Sequence, residues 1–228
     1  MTDHIVKSFD DELSALSAEV ARMGGLAEAE VGDALIAVVR RDVALAESVV
    51  ARDEVLDEME QDIERRVIRL IGLRQPIASD LRRTVSAMKI ANNLERIGDL
   101  AKNIAKRTLV LVDSEPMTPL TRSIERMGRL VAQRLKEVLD AYTSGQVDRA
   151  IAVWSRDKEV DEHYNALFRE LLTYMMSDPR TISPCAHMLF VAKNLERIGD
   201  HATNIAEIIH YDITGQPMAT ERPKTEAV

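Results

Sequence analysis

Two pairs of carboxylates are the residues of this chain whose type and spacing best suit chemistry. Glu95 and Asp99 are four positions apart, and so are Glu196 and Asp200. On a helix, side chains four apart lie one turn above the other on the same face, so each pair presents its carboxylates together. Such oxygen ligands suit hard cations such as magnesium, manganese or ferric iron. Each pair is therefore half of a candidate metal site.

A second pair of carboxylates with the same spacing lies upstream of each of these. Asp53 and Asp57 precede the first pair, and Asp157 and Asp161 precede the second. If the segments form antiparallel helices, the four carboxylates of each half converge and repel one another. Either Arg and Lys side chains pair with them or cations bind. The candidate metal ligands are Asp53, Asp57, Glu95, Asp99, Asp157, Asp161, Glu196 and Asp200.

These carboxylates occur twice because the chain repeats itself. The heptapeptide Asn-Leu-Glu-Arg-Ile-Gly-Asp at 93–99 recurs at 194–200, an offset of 101 residues. Upstream, Met23-Gly24 recurs as Met127-Gly128 at an offset of 104. Seven consecutive identities at one offset indicate two homologous halves rather than chance, and duplication makes a metal site a better interpretation than a solvated helix face.

Three helices are expected in each half to position these side chains. Apolar residues at steps of three and four predict helices over 9–35 and 45–70, and a third from near Pro76 to about residue 111. The second half repeats this plan with predicted helices over 124–142, 147–176 and 183–211. The predicted fold is all-α, with two tandem homologous three-helix bundles packed along their length.

Composition and domain size agree with that plan. The chain has 228 residues with only nine Gly and seven Pro, which favours long helices and nearly excludes an all-β fold. We expect a first repeat over 1–113 and a second over 114–214. Residues 215–228 have almost nothing to bury and are expected to form a mobile C-terminal tail.

The heptad pattern predicts that the third helix of the first half places its carboxylates on a seam that begins apolar. Counting heptads, Leu81 and Met88 lead to Glu95, and the second half behaves likewise at Glu196. A different apolar stripe lies on the opposite face, so we expect this helix to be covered on both sides. Lys193 stands beside the second set of carboxylates and could replace part of the cationic charge there.

Charge and the cysteine count exclude several classes of function. With 30 basic and 38 acidic residues the net charge is −8, and no basic patch is concentrated enough for a nucleic-acid partner. Cys185 is the single cysteine, and the N-terminus lacks a secretory signal. No apolar run reaches the length of a membrane span. We expect a cytoplasmic protein whose membrane contact goes through partners.

Signs of catalysis are weak. The sequence has no phosphate-cradling glycine loop and no nucleophile elbow. Its Glu-x-x-His, from Glu207 to His210, has no counterpart in the first half, whereas a carboxylate-bridged di-iron bundle needs two. We expect no enzymatic activity. A metal-dependent phosphohydrolase and a purely structural helical scaffold stay open as alternatives.

In this order, the motifs resemble the PhoU family of bacterial phosphate-uptake regulators over residues 5–216. The resemblance is carried by Met23-Gly24, Arg52-Asp-Glu-Val-Leu-Asp57, Arg74-Gln-Pro76, Ser79-Asp-Leu-Arg82, both copies of the heptapeptide, Leu172-Thr-Tyr-Met-Met176 and Arg180-Thr-Ile182. It implies a PhoU-like six-helix protein, and multinuclear metal clusters at the eight carboxylates named above. The implied ions are divalent or trivalent cations: iron, manganese, magnesium or zinc.

Function and partners follow from the resemblance alone. It implies a negative regulator of the phosphate regulon and of phosphate uptake. Such a regulator is a cytoplasmic adaptor between the ATPase subunit of the phosphate ABC transporter and a phosphate-sensing histidine kinase. A homodimer is also implied, as is a peripheral position at the inner membrane through these partners.

Overall fold

A computed structural model describes residues 2–218, and the side chains of residues 9–218. Within that range the chain is helical, with no strand. The helices are α1 (Thr2–Arg40), α2 (Val43–Arg74), α3 (Ala78–Leu111), α4 (Thr118–Ser144), α5 (Val147–Ser155), α6 (Lys158–Ser177) and α7 (Ile182–Thr214). Most of the tail predicted over 215–228 lies outside the described residues, so its mobility and the domain boundaries stay predictions.

Two bundles form the molecule. Helices α1, α2 and α3 pack together as the first, and α4 to α7 as the second. The bundles meet where α3 packs on α7 and α1 on α4. Helices α3 and α7 run antiparallel, since Asn93 Oδ1 lies 2.9 Å from His201 Nδ1 while the Arg107 guanidinium lies 4.6 Å above the Phe190 ring. The predicted all-α fold of two tandem bundles is confirmed.

The buried face of α3 differs from the seam predicted for it. The fully buried stripe is the one predicted for the opposite face, and it consists of Ile90, Leu94, Ile97, Ala101 and Ile104. Leu81 is exposed and Met88 only partly buried, so the expectation that an apolar seam runs from them into Glu95 is wrong. Those residues lie at the margin of the core, and the carboxylates that follow them flank the core rather than interrupt it.

One predicted helix is interrupted. The segment expected to be continuous over 147–176 divides into α5 and α6 at Arg156, whose backbone angles are φ −99° and ψ 12°. The buried guanidinium of Arg134 donates to the Arg156 carbonyl, and this competes with the helical ladder. In the first half the residue at the position of Arg134 is Glu30, which has no such donor when ionised, and α2 runs on unbroken.

Glycine allows the first helices of the two bundles to approach closely. Gly24 of α1 lies against Leu139 of α4, so that an added Cβ would come within 2.5 Å of a Leu139 methyl carbon. Gly128 of α4 lies against Leu35 of α1 in the same way. Both contacts are related by the offset of 104, so the crossing of α1 and α4 is itself two-fold.

Replacing Gly24 with alanine tests this contact. The alanine gains helix propensity but overpacks the crossing against Leu139. Gly25→Ala is the matched control, since no atom lies within 4 Å of an added Cβ there. We expect the free energy of unfolding of Gly24→Ala to fall below that of Gly25→Ala by about 1–3 kcal/mol in urea titrations. Equal stability of the two variants would mean that the crossing tolerates a methyl group.

Among the described helices, none contains an apolar stretch of the length needed to span a lipid bilayer.

Candidate metal centre

In the first half, the predicted carboxylates of α2 and α3 meet around a lysine. The Lys102 ammonium donates to Asp53 Oδ2 and, at 3.2 Å, to Asp99 Oδ1. Asp53 is 3% exposed, so its charge depends on this partner. The hydrogen bond to Asp53 contributes most to raising the pKa of Lys102, which keeps the ammonium charged. Lys102 thus supplies part of the positive charge that the converging carboxylates need.

Asp57 and Glu95 face the same space from the two helices. Burial raises the pKa of Asp57, and the neighbouring Asp53 and Asp99 carboxylates raise it further. Burial also raises the pKa of Glu95, whose Oε2 is buried without a hydrogen bond and has only an ion pair with Arg96 at 3.4 Å. Both carboxylates are therefore poorly compensated, which is the condition under which a cation binds.

A further buried carboxylate joins this group from α1. Glu30 is 3% exposed, and its Oε2 has no hydrogen-bond partner. It converges with Asp53 over Gly98, where an added Cβ would lie 3.5 Å from Glu30 Oε2 and 3.7 Å from Asp53 Oδ1. Burial and the Asp53 carboxylate raise the pKa of Glu30 to about 7. A side chain on Gly98 would clash with Leu56, whose Cδ1 would lie 2.5 Å from the added Cβ, whereas the two carboxylates would lie at ordinary contact distance.

The second half arranges its carboxylates differently. Asp157 is buried, and its Oδ1 accepts a hydrogen bond of 2.7 Å from the Thr203 hydroxyl. Glu196 Oε1 accepts a hydrogen bond of 2.7 Å from the Lys193 ammonium, while Glu196 Oε2 is buried without a hydrogen bond. Burial raises the pKa of Glu196, and the nearby Asp200 and Asp161 carboxylates add to this effect. Asp161, Glu196 and Asp200 are thus neighbours, and Asp157 contacts α7 through Thr203.

Comparison of equivalent positions shows a reversal of charge between the halves. Arg134, 1% exposed, stands where the first half has Glu30, and its guanidinium donates to Glu159 at 2.8 Å. Thr203 stands where the first half has Lys102. The first cluster thus has an extra buried acid and one lysine, whereas the second has a buried arginine and Lys193. The two clusters differ in the cation charge each can still accept.

The donor atoms of both clusters fit a hard cation in kind, although the side chains are not gathered around one. Buried oxygens of Glu30, Glu95 and Glu196 have no hydrogen-bond partner. Within residues 9–218, however, no three acidic, histidine or cysteine side chains are grouped closely enough to hold a metal ion. The ammonium groups of Lys102 and Lys193 lie among the oxygens instead. The predicted roles of the eight carboxylates stay predictions.

Sequence reasoning missed Glu30, Lys102, Arg134 and Thr203. Glu30 could have been found, because it falls three residues after Ala27 on the apolar stripe of α1, where a charge needs an explanation. Arg134 has the same signal when the halves are aligned. The spacing of Lys102 carries no such signal, because a lysine three residues after an acid is common on helices.

Comparison with known proteins agrees with this architecture. The PhoU domain family matches residues 20–108 and 124–209. A phosphate-specific transport system accessory protein PhoU homolog of Caulobacter vibrioides is 64% identical over 228 residues, covering 100% of this chain and 99% of that protein. The phosphate-specific transport system accessory protein PhoU of Escherichia coli is 40% identical over 216 residues, 95% of this chain and 89% of that protein.

Two solved structures share the fold. The crystal structure of PhoU from Pseudomonas aeruginosa has a TM-score of 0.85 at 39% identity, covering 91% of this chain and 100% of the other. The phosphate transport system regulatory protein PhoU from Streptococcus pneumoniae has a TM-score of 0.86 at 31% identity, covering 93% of this chain and 100% of the other. This chain therefore belongs to the PhoU family.

Proposed function

We propose that this protein is an accessory regulator of a phosphate-specific transport system. The observation that carries the proposal is identity over the whole length with relatives named for that role, 64% over 228 residues in the Caulobacter protein. It acts as a negative regulator of phosphate uptake and of the phosphate regulon. Its output is a change in partner activity through surface contacts rather than catalysis.

The partners in this proposal are the ATPase subunit of the phosphate ABC transporter and the phosphate-sensing histidine kinase. In this proposal the protein is a cytoplasmic homodimer that binds both partners. It reaches the inner membrane only through these partners, which is how it regulates a membrane transporter. The name of the Streptococcus relative, a regulatory protein of the phosphate transport system, supports the regulatory part.

The proposal includes cations held by the two carboxylate clusters. Asp53, Asp57, Glu95 and Asp99 would hold them in the first half, and the second half would use Asp157, Asp161, Glu196 and Asp200. Iron, manganese, magnesium or zinc would neutralise these groups and link α2 to α3 in the first bundle and α6 to α7 in the second. Lys102 and Lys193 have to leave the oxygens when a cation enters, so ammonium and metal compete for one position.

Replacing Glu95, Asp99, Glu196 and Asp200 together with alanine tests the metal and the adaptor role in one variant. We expect bound metal, measured by elemental analysis of the purified protein, to fall severalfold, because each cluster loses two of its four proposed ligands. We also expect weaker capture of the transporter ATPase and the kinase in pull-downs, because the bound cations no longer link the helices of each bundle.

The control carries Glu58→Ala and Glu162→Ala, which remove exposed acids next to Asp57 and Asp161. It should keep both metal and partner binding. Circular dichroism establishes that both variants are folded. Unchanged metal content and unchanged capture in the variant with four alanines would refute the metal-dependent part. Failure of the unmodified protein to capture either partner would refute the adaptor role.

A further inference from the structure

A polar cleft lies between the two bundles, far along α3 from the carboxylate clusters. It has a volume of about 630 Å³ and is bounded by the beginning of α3, the ends of α4 and α7, and α1. This volume falls within the range of about 300–1,000 Å³ of small-molecule sites. Its walls combine arginine and hydroxyl side chains with apolar residues such as Ile209 and Ile213.

The cleft is open because a glycine stands where the other half has an arginine. At the opposite end of the α3–α7 pair, Arg41 donates to carbonyls at and just beyond the end of α3, among them that of Val112 at 3.0 Å. The residue equivalent to Arg41 is Gly145, and both have left-handed backbones, with φ 58° and 63°. No atom lies within 4 Å of a Cβ added at Gly145. One end of the two-fold arrangement is thus filled by a side chain and the other is empty.

Two guanidinium groups face this space. Arg82 and Arg83 both line the cleft, and neither forms an ion pair with a carboxylate of the described chain. Arg82 makes one long hydrogen bond, from Nε to the Asp212 carbonyl at 3.5 Å. The Tyr142 hydroxyl, which interacts with that of Ser17, lies nearby as a further donor. Arginine forks bind phosphoryl oxygens in pairs of hydrogen bonds, and a phosphoryl group offers more acceptors than a carboxylate does.

Acceptors lie across from these donors. The hydroxyls of Thr143 and Ser144 donate back to the carbonyls of their own helix, so their oxygens are free to accept. Asp212 Oδ1 is buried with no hydrogen-bond partner. These oxygens can accept hydrogen bonds from hydroxyl groups of a ligand. With two arginines against one aspartate, the lining keeps a positive charge that favours an anion.

We propose that this cleft binds a small phosphomonoester with a hydroxylated, partly apolar body, of which a nucleoside monophosphate is the representative. The phosphoryl group contacts Arg82 and Arg83, and the hydroxyls contact Thr143, Ser144 and Asp212. A ligand there touches both bundles and stabilises their packing. This proposal is independent of the regulatory function above, because it concerns binding to the isolated chain.

Calorimetric titration of the full chain with adenosine monophosphate, adenosine and inorganic phosphate tests the proposal. We expect adenosine monophosphate to bind at least about tenfold more tightly than either of the others, since each supplies half of the contacts. Arg83→Gln is expected to weaken binding about tenfold or more, through loss of a charge-assisted pair of hydrogen bonds. Arg126→Gln, which removes an exposed arginine of α4 outside the cleft, should bind as the unmodified protein does.

Gly145→Arg provides a second variant that does not remove a ligand-binding group. It places in the cleft the side chain that fills the opposite end, and we expect it to abolish binding. Absence of measurable binding of adenosine monophosphate at millimolar concentration would overturn the proposal. So would an affinity unaffected by both Arg83→Gln and Gly145→Arg. Inorganic phosphate binding as tightly as the nucleotide would show a site for the free ion and would overturn the assignment of an ester.

Discussion

Lys102→Met is expected to lower the free energy of unfolding by about 3 kcal/mol in buffer freed of metal ions. The substitution keeps the apolar stem of the side chain but removes the ammonium that donates to Asp53 and Asp99. Asp53 then remains as a buried carboxylate, 4% exposed at its side chain, without its cation. The effect lies at the lower end of the range for broken buried pairs because Lys102 keeps 24% of its side-chain surface in solvent.

Urea unfolding followed by circular dichroism measures this loss. Lys106→Met is the matched control, since it removes an exposed lysine from the same helix and should change stability by less than about 0.5 kcal/mol. If the Lys102 and Lys106 variants are equally stable, Asp53 does not depend on the lysine for its charge compensation.

Metal ions should restore the Lys102 variant. If ammonium and cation compete for the carboxylates of the first cluster, removal of the lysine frees the position that the ion needs. Added manganese at a hundred times its dissociation constant would return about 2.7 kcal/mol. An equal gain in the unmodified protein would show that the lysine and the ion bind at separate positions.

The sequence predicted those parts of the molecule that periodicity and repetition encode. Apolar steps of three and four predicted the helices, and the recurrence of residues 93–99 predicted two related bundles. The four-residue spacing placed Glu95 and Asp99 on one face of α3, and the hairpin brought Asp53 to them. Each of these follows from local geometry that one helix or one hairpin determines.

What the sequence did not predict depends on contacts between helices. Glu30 reaches the cluster from α1, and its interaction with Asp53 becomes visible only when α1, α2 and α3 are packed together. The break at Arg156 involves Arg134, from a different helix, which donates a hydrogen bond to the Arg156 carbonyl. The wrong seam on α3 has the same origin. Leu81 fits an apolar heptad, but packing leaves it 38% exposed.

The asymmetry of the clusters and the open cleft have a common origin in the duplication. At the clusters, Glu30 and Arg134 are equivalent residues of opposite charge. At the ends of the α3–α7 pair, Arg41 and Gly145 are equivalent residues of which one fills its site and the other leaves it empty. Both halves have the same fold. Substitutions at equivalent positions therefore changed the chemistry of one half while the packing of both halves was kept.

Glu30→Gln is expected to stabilise the metal-free protein at alkaline pH and to leave it nearly unchanged in acid. Burial and the Asp53 carboxylate raise the pKa of Glu30 from its ordinary 4.5 to about 7, while Arg52 and Lys102 oppose this effect and Asp33 adds to it. The folded state therefore holds its proton more tightly than the unfolded state does. By linkage, stability falls as the pH rises from about 4.5 to about 7 and then levels off. Glutamine has the same shape and never ionises.

Above pH 7 the ionised Glu30 is expected to cost about 3 kcal/mol, the free energy that corresponds to its raised pKa. Urea unfolding at pH values on both sides of this window should show the variant gaining that amount only on the alkaline side. Glu28→Gln, on the same helix but only half-buried, controls for loss of one negative charge and should give a small difference that does not vary with pH. A Glu30→Gln variant that is destabilised at every pH would show instead that the ionised carboxylate is compensated where it lies, with Lys102 and Arg52 outweighing burial.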